Sequence, residues 1–154
     1  MPASSAALVV SKCQRLGVVM WTAEDELSDT VHPRLLAAGA DLKLIGARRF
    51  TLNAGRQRVP VTLEDVAELR SDILDVGAKL VVIDPLMAFM PADANTNSDH
   101  DVRRALAALV ELASAMGVAI VLIRHFHKGA KGNPLHAGGG SIGFSGLVRS
   151  ALQV

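Results

Sequence analysis

Lys79-Leu80-Val81-Val82-Ile83-Asp84-Pro85 is the stretch that decides the fold. Four consecutive apolar residues, three of them β-branched, stop abruptly at a carboxylate and a proline. A run apolar on both faces suits a strand covered by helices on both sides, as in a parallel sheet. Both flanks support this. Upstream, Thr62 and Asp65 are spaced like a variant capping box, with Asp where Glu or Gln is usual. Val66, Leu69, Ile73 and Val76 then recur at three and four residues, which predicts a helix stripe ended by Gly77. Downstream, Ser98 to Met116 reads as the clearest helix in the chain. Ser98 stands at its cap, Val102, Ala105, Leu106, Leu109, Ala113 and Met116 share one face, and Gly117 is the stop. Val118 to Ile123 follows as another buried strand.

The order extends toward the N-terminus. Gly17 precedes Val18-Val19-Met20-Trp21-Thr22, a buried strand that hands over to Glu24-Asp25. A helix is expected over Thr30 to Ala38, with Gly39 as its stop and Pro33 either in its first turn or kinking it. Leu42 to Ile45 is a weaker strand. Strands separated by helices of this length imply a parallel sheet with right-handed crossovers. Met90 to Asn97 is polar and aperiodic, and seven of the 13 glycines fall between Gly129 and Gly146. No internal repeat or linker divides the chain, so 1–154 reads as a single domain.

Composition agrees. Half of the residues are hydrophobic but only 3% are aromatic, so the apolar volume comes from Ala, Val, Leu and Ile. With 154 residues the chain can bury one good core. Sixteen basic residues against 15 acidic give a net charge of +1, so any basic patch must be local. Cys13 is the one cysteine, which excludes a disulfide framework within the chain and makes a reducing, cytoplasmic setting the expectation. The short apolar run Ala6 to Val10 has no basic region before it and is a poor signal peptide. No apolar stretch approaches the ~20 residues of a membrane span.

In an open parallel sheet, ligands bind beyond the carboxyl ends of the strands. The first strand ends at Glu24-Asp25, the second confident one at Asp84, and the third at Arg124-His125-Phe126-His127-Lys128. These handovers put acids, a guanidinium, imidazoles and an ammonium along one crevice. Such a set suits a metal-phosphate ligand, with carboxylates for Mg²⁺ and basic groups for phosphate oxygens. Each piece alone also has a plainer reading. Asp84 can cap a turn, Glu24 can be a solvated loop acid, His125 can be a satisfied polar residue at a strand exit, and Arg149 can be a surface arginine. The glycine cluster can be no more than a loop.

Together, TAEDELSDTVHPRLLAAGAD (22–41), AKLVVIDPLMAFM (78–90), DHDVRRALAALVELA (99–113), VLIRHFHKG (121–129) and GGGSIGFSGLVRSALQV (138–154) resemble successive motifs of RepA-like ATPases. These are RecA-fold proteins related to a hexameric replicative helicase of plasmids. The resemblance covers roughly 18–154. It implies an α/β RecA-like P-loop NTPase core, a mostly parallel sheet flanked by helices, with Mg²⁺ and ATP as ligands. By the same resemblance Glu24 would be the general base toward the attacking water, and Asp84, at the Walker B position, would bind Mg²⁺ directly or through water. His125 would meet the γ-phosphate, and Arg124 and Lys128 would lie near the phosphates. The segment 129–140 matches a loop facing the central channel of ring-shaped relatives, with Lys128 and Lys131 as cations toward single-stranded DNA. Arg149 sits where a ring could supply an arginine finger to its neighbour, so a homo-oligomer is the expected partner state and a membrane is not.

The chain departs from the family at one point. G-x-x-x-x-G-K-[ST], whose backbone N–H groups cradle phosphates, does not occur. The early lysine, Lys12, has no glycine loop before it, and Ser4 to Arg15 fits the helix that normally follows the loop. The last residues, Ala151-Leu152-Gln153-Val154, read as the start of a further strand. The expectation is therefore a core incomplete at both ends, with unpaired strand edges and weak or absent hydrolysis by this chain alone. Two rival classes stay open. One is a non-catalytic binding or oligomerisation module that kept the fold and lost the nucleotide. The other is a metal-dependent phosphohydrolase built on Asp84, His125 and His127.

Overall fold

A computed structural model describes residues 15–125 and 143–152. Its centre is a four-stranded, wholly parallel sheet of β1 (Gly17–Thr22), β2 (Ile45–Arg48), β5 (Ala78–Asp84) and β6 (Ala119–Leu122), in the order β2-β1-β5-β6. The strand quoted first above is β5, and it pairs with β1 on one side and β6 on the other. Val19, Trp21, Val81 and Ile83, which share one face of the sheet, are at most 1% exposed, whereas Val18, Met20, Leu80 and Val82 on the other face are half-buried among the described residues.

The helices are α1 (His32–Ala37), α2 (Val66–Val76), α3 (Asp99–Met116) and the short α4 (Gly143–Leu147). The stripe of α2 buries Leu69 and Ile73, and that of α3 buries Val102, Leu106, Leu109 and Leu112. Both helices end as their glycines demand. Gly77 and Gly117 adopt φ of 60° and 59°, the left-handed conformation that lets the chain reverse into the next strand. The Ser98 hydroxyl accepts a hydrogen bond from the Asp101 N–H at 3.3 Å and caps α3.

Three segments differ from the sequence reading. The expected helix over Thr30 to Ala38 is a π-helical turn, Leu27–Val31, running into α1, with Pro33 in the first turn of α1 where its missing N–H costs nothing. Leu42–Leu44 is a 3-10 turn and the strand starts only at Ile45, because the Asp41 carboxylate accepts from the Lys43 N–H and curls the backbone. The Thr62/Asp65 pair works from one side: Asp65 accepts from the Thr62 N–H at 2.7 Å, but the helix begins only at Val66, directly after Asp65. A further element was not anticipated. β3 (Phe50–Leu52) and β4 (Arg58–Pro60) form an antiparallel hairpin outside the main sheet. Its strands have three residues each, too short for a clear alternation to show.

β6 is an edge strand among the described residues, and Val121 on it is 45% exposed. No described helix is long and apolar enough to cross a membrane.

Candidate functional site

The chain runs from β1 through α1 to β2 on one side, then crosses back over β1 to β5 and on to β6. The order reverses between β1 and β5, so the crevice of this sheet opens beyond their carboxyl ends. Thr22, the last residue of β1 and 4% exposed, stands opposite Asp84, the last residue of β5. The ladder then continues one step past both strands. The Ala23 N–H donates to the Asp84 carbonyl at 3.1 Å, the Ile123 N–H to the Ile83 carbonyl at 3.0 Å, and the Leu86 N–H to the Ile123 carbonyl at 2.7 Å. Three strand exits are thereby fixed to one another by backbone hydrogen bonds before any functional side chain is considered.

On this frame the side chains of Glu24 and His125 meet. His125 Nε2 lies 3.2 Å from Glu24 Oε2, although the two residues are 101 apart in sequence. β1 and β6 flank β5, so this contact bridges the exit of β5, where Asp84 sits. The Asp84 side chain is half-buried, and its carboxylate forms no hydrogen bond or ion pair among the described residues. Glu24 and His125 are more than half exposed, with side chains at 60% and 63%. A carboxylate, an imidazole and a second carboxylate without a protein partner thus share one solvent-facing edge.

Arg124 is half-buried beside this edge. Its guanidinium carbon lies 3.9 Å from the centroid of the Phe144 ring, and burial lowers its pKa from the ordinary guanidinium value. Phe144 is 5% exposed and belongs to α4, which packs on α3. The contact with a buried ring holds the guanidinium in place. Arg149 lies exposed just beyond α4, with no hydrogen bond or ion pair among the described residues. Lys128, Lys131, His127, Lys12 and the glycine-rich segment 129–140 lie outside the described residues.

The donor set constrains a metal. No group of three or more His, Cys, Asp or Glu side chains able to hold an ion occurs among the described residues. The phosphohydrolase reading also needs His127, which lies outside the described residues. Mg²⁺ keeps several waters and binds through one or two carboxylates plus substrate phosphates. Asp84 supplies such a carboxylate.

Two supports of the β1 exit were missed in the sequence. Trp21 Nε1 donates to Asp72 Oδ2 at 3.1 Å, and the same carboxylate takes a two-pronged hydrogen bond from Arg48, with Arg48 Nε at 2.7 Å. The hydrogen bond to Asp72 raises the Arg48 pKa above its ordinary value, against the opposing effect of partial burial. Arg49 Nη2 donates to the Ala23 carbonyl at 2.7 Å and Arg49 Nη1 to Glu26 at 2.7 Å, which clamps the loop bearing Glu24 to the start of the hairpin. Neither contact has a spacing signature, but adjacent arginines after a strand were a visible cue.

A family model described as an AAA domain matches residues 3–131. That span contains Glu24, Asp84, Arg124 and His125 and stops short of Arg149. No curated protein matches the chain.

Proposed function

The chain belongs to the AAA domain family, and from that premise we propose that the crevice beyond β1, β5 and β6 is the site of a magnesium–nucleoside triphosphate, in an ATPase domain of the RepA-like, DNA-dependent kind. The observation that carries the reading is the convergence of Glu24, Asp84 and His125 at the strand-order reversal. Phosphoryl transfer to water asks little covalent chemistry of a protein and much positioning and charge stabilisation. Mg²⁺, when bound, neutralises charge on the β- and γ-phosphate oxygens, and Asp84 is the residue that would hold it.

The roles of the chain's own groups follow from where they stand. Glu24, exposed at the end of β1, orients the attacking water and accepts its proton. His125 faces Glu24 across the exit of β5 and offers its imidazole N–H to the γ-phosphate, a contact that would replace the one it now makes with the Glu24 carboxylate. Arg124, packed against Phe144, would lie near the phosphates, as the resemblance implies. Lys128 would join it, Lys131 would meet single-stranded DNA, and Arg149 would act on the site of a neighbouring copy. The last role agrees with its exposure. The sequence has no G-x-x-x-x-G-K-[ST] motif. Affinity is therefore expected to be weak, and turnover by this chain alone slow or nil.

The test is calorimetric titration of the chain with Mg-ATP, beside Asp84→Ala. Binding in the millimolar range that disappears in the variant supports the reading. Equal binding by both proteins, or none by either, removes it. In that event the assembly-module reading gains, and the observation that favours it is the exposed edge of β6 with Val121 on it.

A further inference from the structure

Between Asp41 and Glu64 the chain carries five basic residues, Lys43, Arg48, Arg49, Arg56 and Arg58, and no acidic one. The whole chain has 16 basic and 15 acidic residues, so the remainder is net acidic, with 11 against 15. The near-neutral total therefore hides a strong local positive charge. The structure gathers this segment into β2 and the β3–β4 hairpin. Two of the arginines are consumed internally: Arg48 by Asp72 and Glu68, and Arg49 by Glu26 and the Ala23 carbonyl. Arg56 and Arg58 are not. Both are exposed, and neither forms an ion pair among the described residues.

The hairpin is also built to hold them. At its tip the Asn53 carboxamide oxygen accepts from the Gln57 N–H at 2.9 Å, and Arg56 sits at φ 57°, a conformation uncommon for a side chain of its size. The Arg58 guanidinium carbon lies 4.5 Å from the Phe50 ring centroid, and that of Arg49 lies 5.6 Å from it. Leu52, 61% exposed, stands opposite Arg58 in the hairpin register. Phe50, Arg49 and Arg58 line an open depression of about 640 Å³. Two exposed arginines without an ion pair among the described residues, one of them over an aromatic ring, thus lie beside an exposed aliphatic side chain.

We infer that the β3–β4 hairpin binds single-stranded nucleic acid, with backbone phosphates on Arg56 and Arg58 and bases against the Phe50–Arg58 pair and Leu52. Bases stack on aromatic rings and on guanidinium planes, and phosphates supply the charge that this segment lacks. A lipid surface or an acidic protein would use the charge but leave the Phe50–Arg58 pair idle. The site uses none of the residues assigned to the nucleotide crevice, and it needs no hydrolysis, so it and the proposed function can fail separately.

The experiment is fluorescence anisotropy of a labelled oligothymidine with the full chain, without nucleotide. With two phosphates neutralised on a single strand, affinity should fall about sevenfold between about 50 and 200 mM salt. Arg56→Ala with Arg58→Ala should weaken binding at least about tenfold at the lower salt and flatten the salt dependence. The double lysine variant should keep the salt slope yet bind several-fold more weakly, because ammonium groups do not stack. Thermal melts matched to the parent protein show that the variants fold. Absence of oligonucleotide binding by the parent, undiminished binding by the folded double alanine variant, or equally tight binding to anionic vesicles would each overturn the inference.

Discussion

Asp72→Ala should unfold the β1 support more than its position on the outer part of α2 suggests. The Asp72 side chain is 12% exposed, and it serves two donors on two different strands. Trp21 is 1% exposed, so its indole N–H would be left buried without an acceptor, at about 1–3 kcal/mol. Arg48 is less penalised. It retains Glu68 at 3.1 Å, and 26% exposure of its side chain lets water reach it. Its loss is therefore nearer the ~1 kcal/mol of a surface pair than the larger figure for a buried one. The sum is about 3 kcal/mol, or roughly 6–12 °C in melting temperature for a chain of this length. Thermal melts followed by circular dichroism would measure it. A double-mutant cycle isolates the cause. In a Trp21→Phe background no indole donor remains to be stranded, so the cost of Asp72→Ala should drop to about 1 kcal/mol. A fall of less than about 3 °C in the parent background, or an equal loss in both backgrounds, would refute the reasoning.

Other outcomes follow from close approaches and caps. A Cβ on Gly17 would lie 2.1 Å from the Val76 carbonyl oxygen, a backbone atom that cannot swing away, so Gly17→Ala should lose at least about 3 kcal/mol in urea denaturation. Gly146→Ala meets only the flexible end of Arg103, at 3.1 Å, and lies in a helix, so it should stay within about 1 kcal/mol of the parent in the same assay. Lys79 Nζ lies 3.4 Å and 3.5 Å from the Met116 and Gly117 carbonyl oxygens at the end of α3, and Lys79→Met should cost about 0.5 kcal/mol, shrinking as salt is added.

The parts of the molecule legible in the sequence are those whose cause is local or periodic. β5 announces itself by four apolar residues that stop at a carboxylate, and Val81 and Ile83 among them are core residues. α3 carries its cap, its stripe and its stop within one continuous segment. Gly77 and Gly117 mark reversals that side-chain-bearing residues resist. Site residues at the ends of β1, β5 and β6 could be placed on one edge because parallel strands all point the same way. What escaped reading has non-local causes. The meeting of Glu24 with His125 depends on β5 lying between their strands, an order no single segment encodes. Asp72 looks like an ordinary polar residue on α2 until Trp21 and Arg48 arrive from the sheet. The hairpin was hidden by the shortness of its strands, and its charge by the acidic remainder of the chain.

The central claim is that a nucleotide occupies the edge where β1, β5 and β6 end. Amide chemical shifts of the labelled chain, recorded during titration with Mg-ATP, test it most directly, since they detect weak binding and locate it. The account predicts shifts centred on Thr22 to Glu24, on Asp84 to Leu86 and on Ile123 to His125, absent in Asp84→Ala. Shifts confined to the β3–β4 hairpin, or no shifts at millimolar nucleotide, would contradict it.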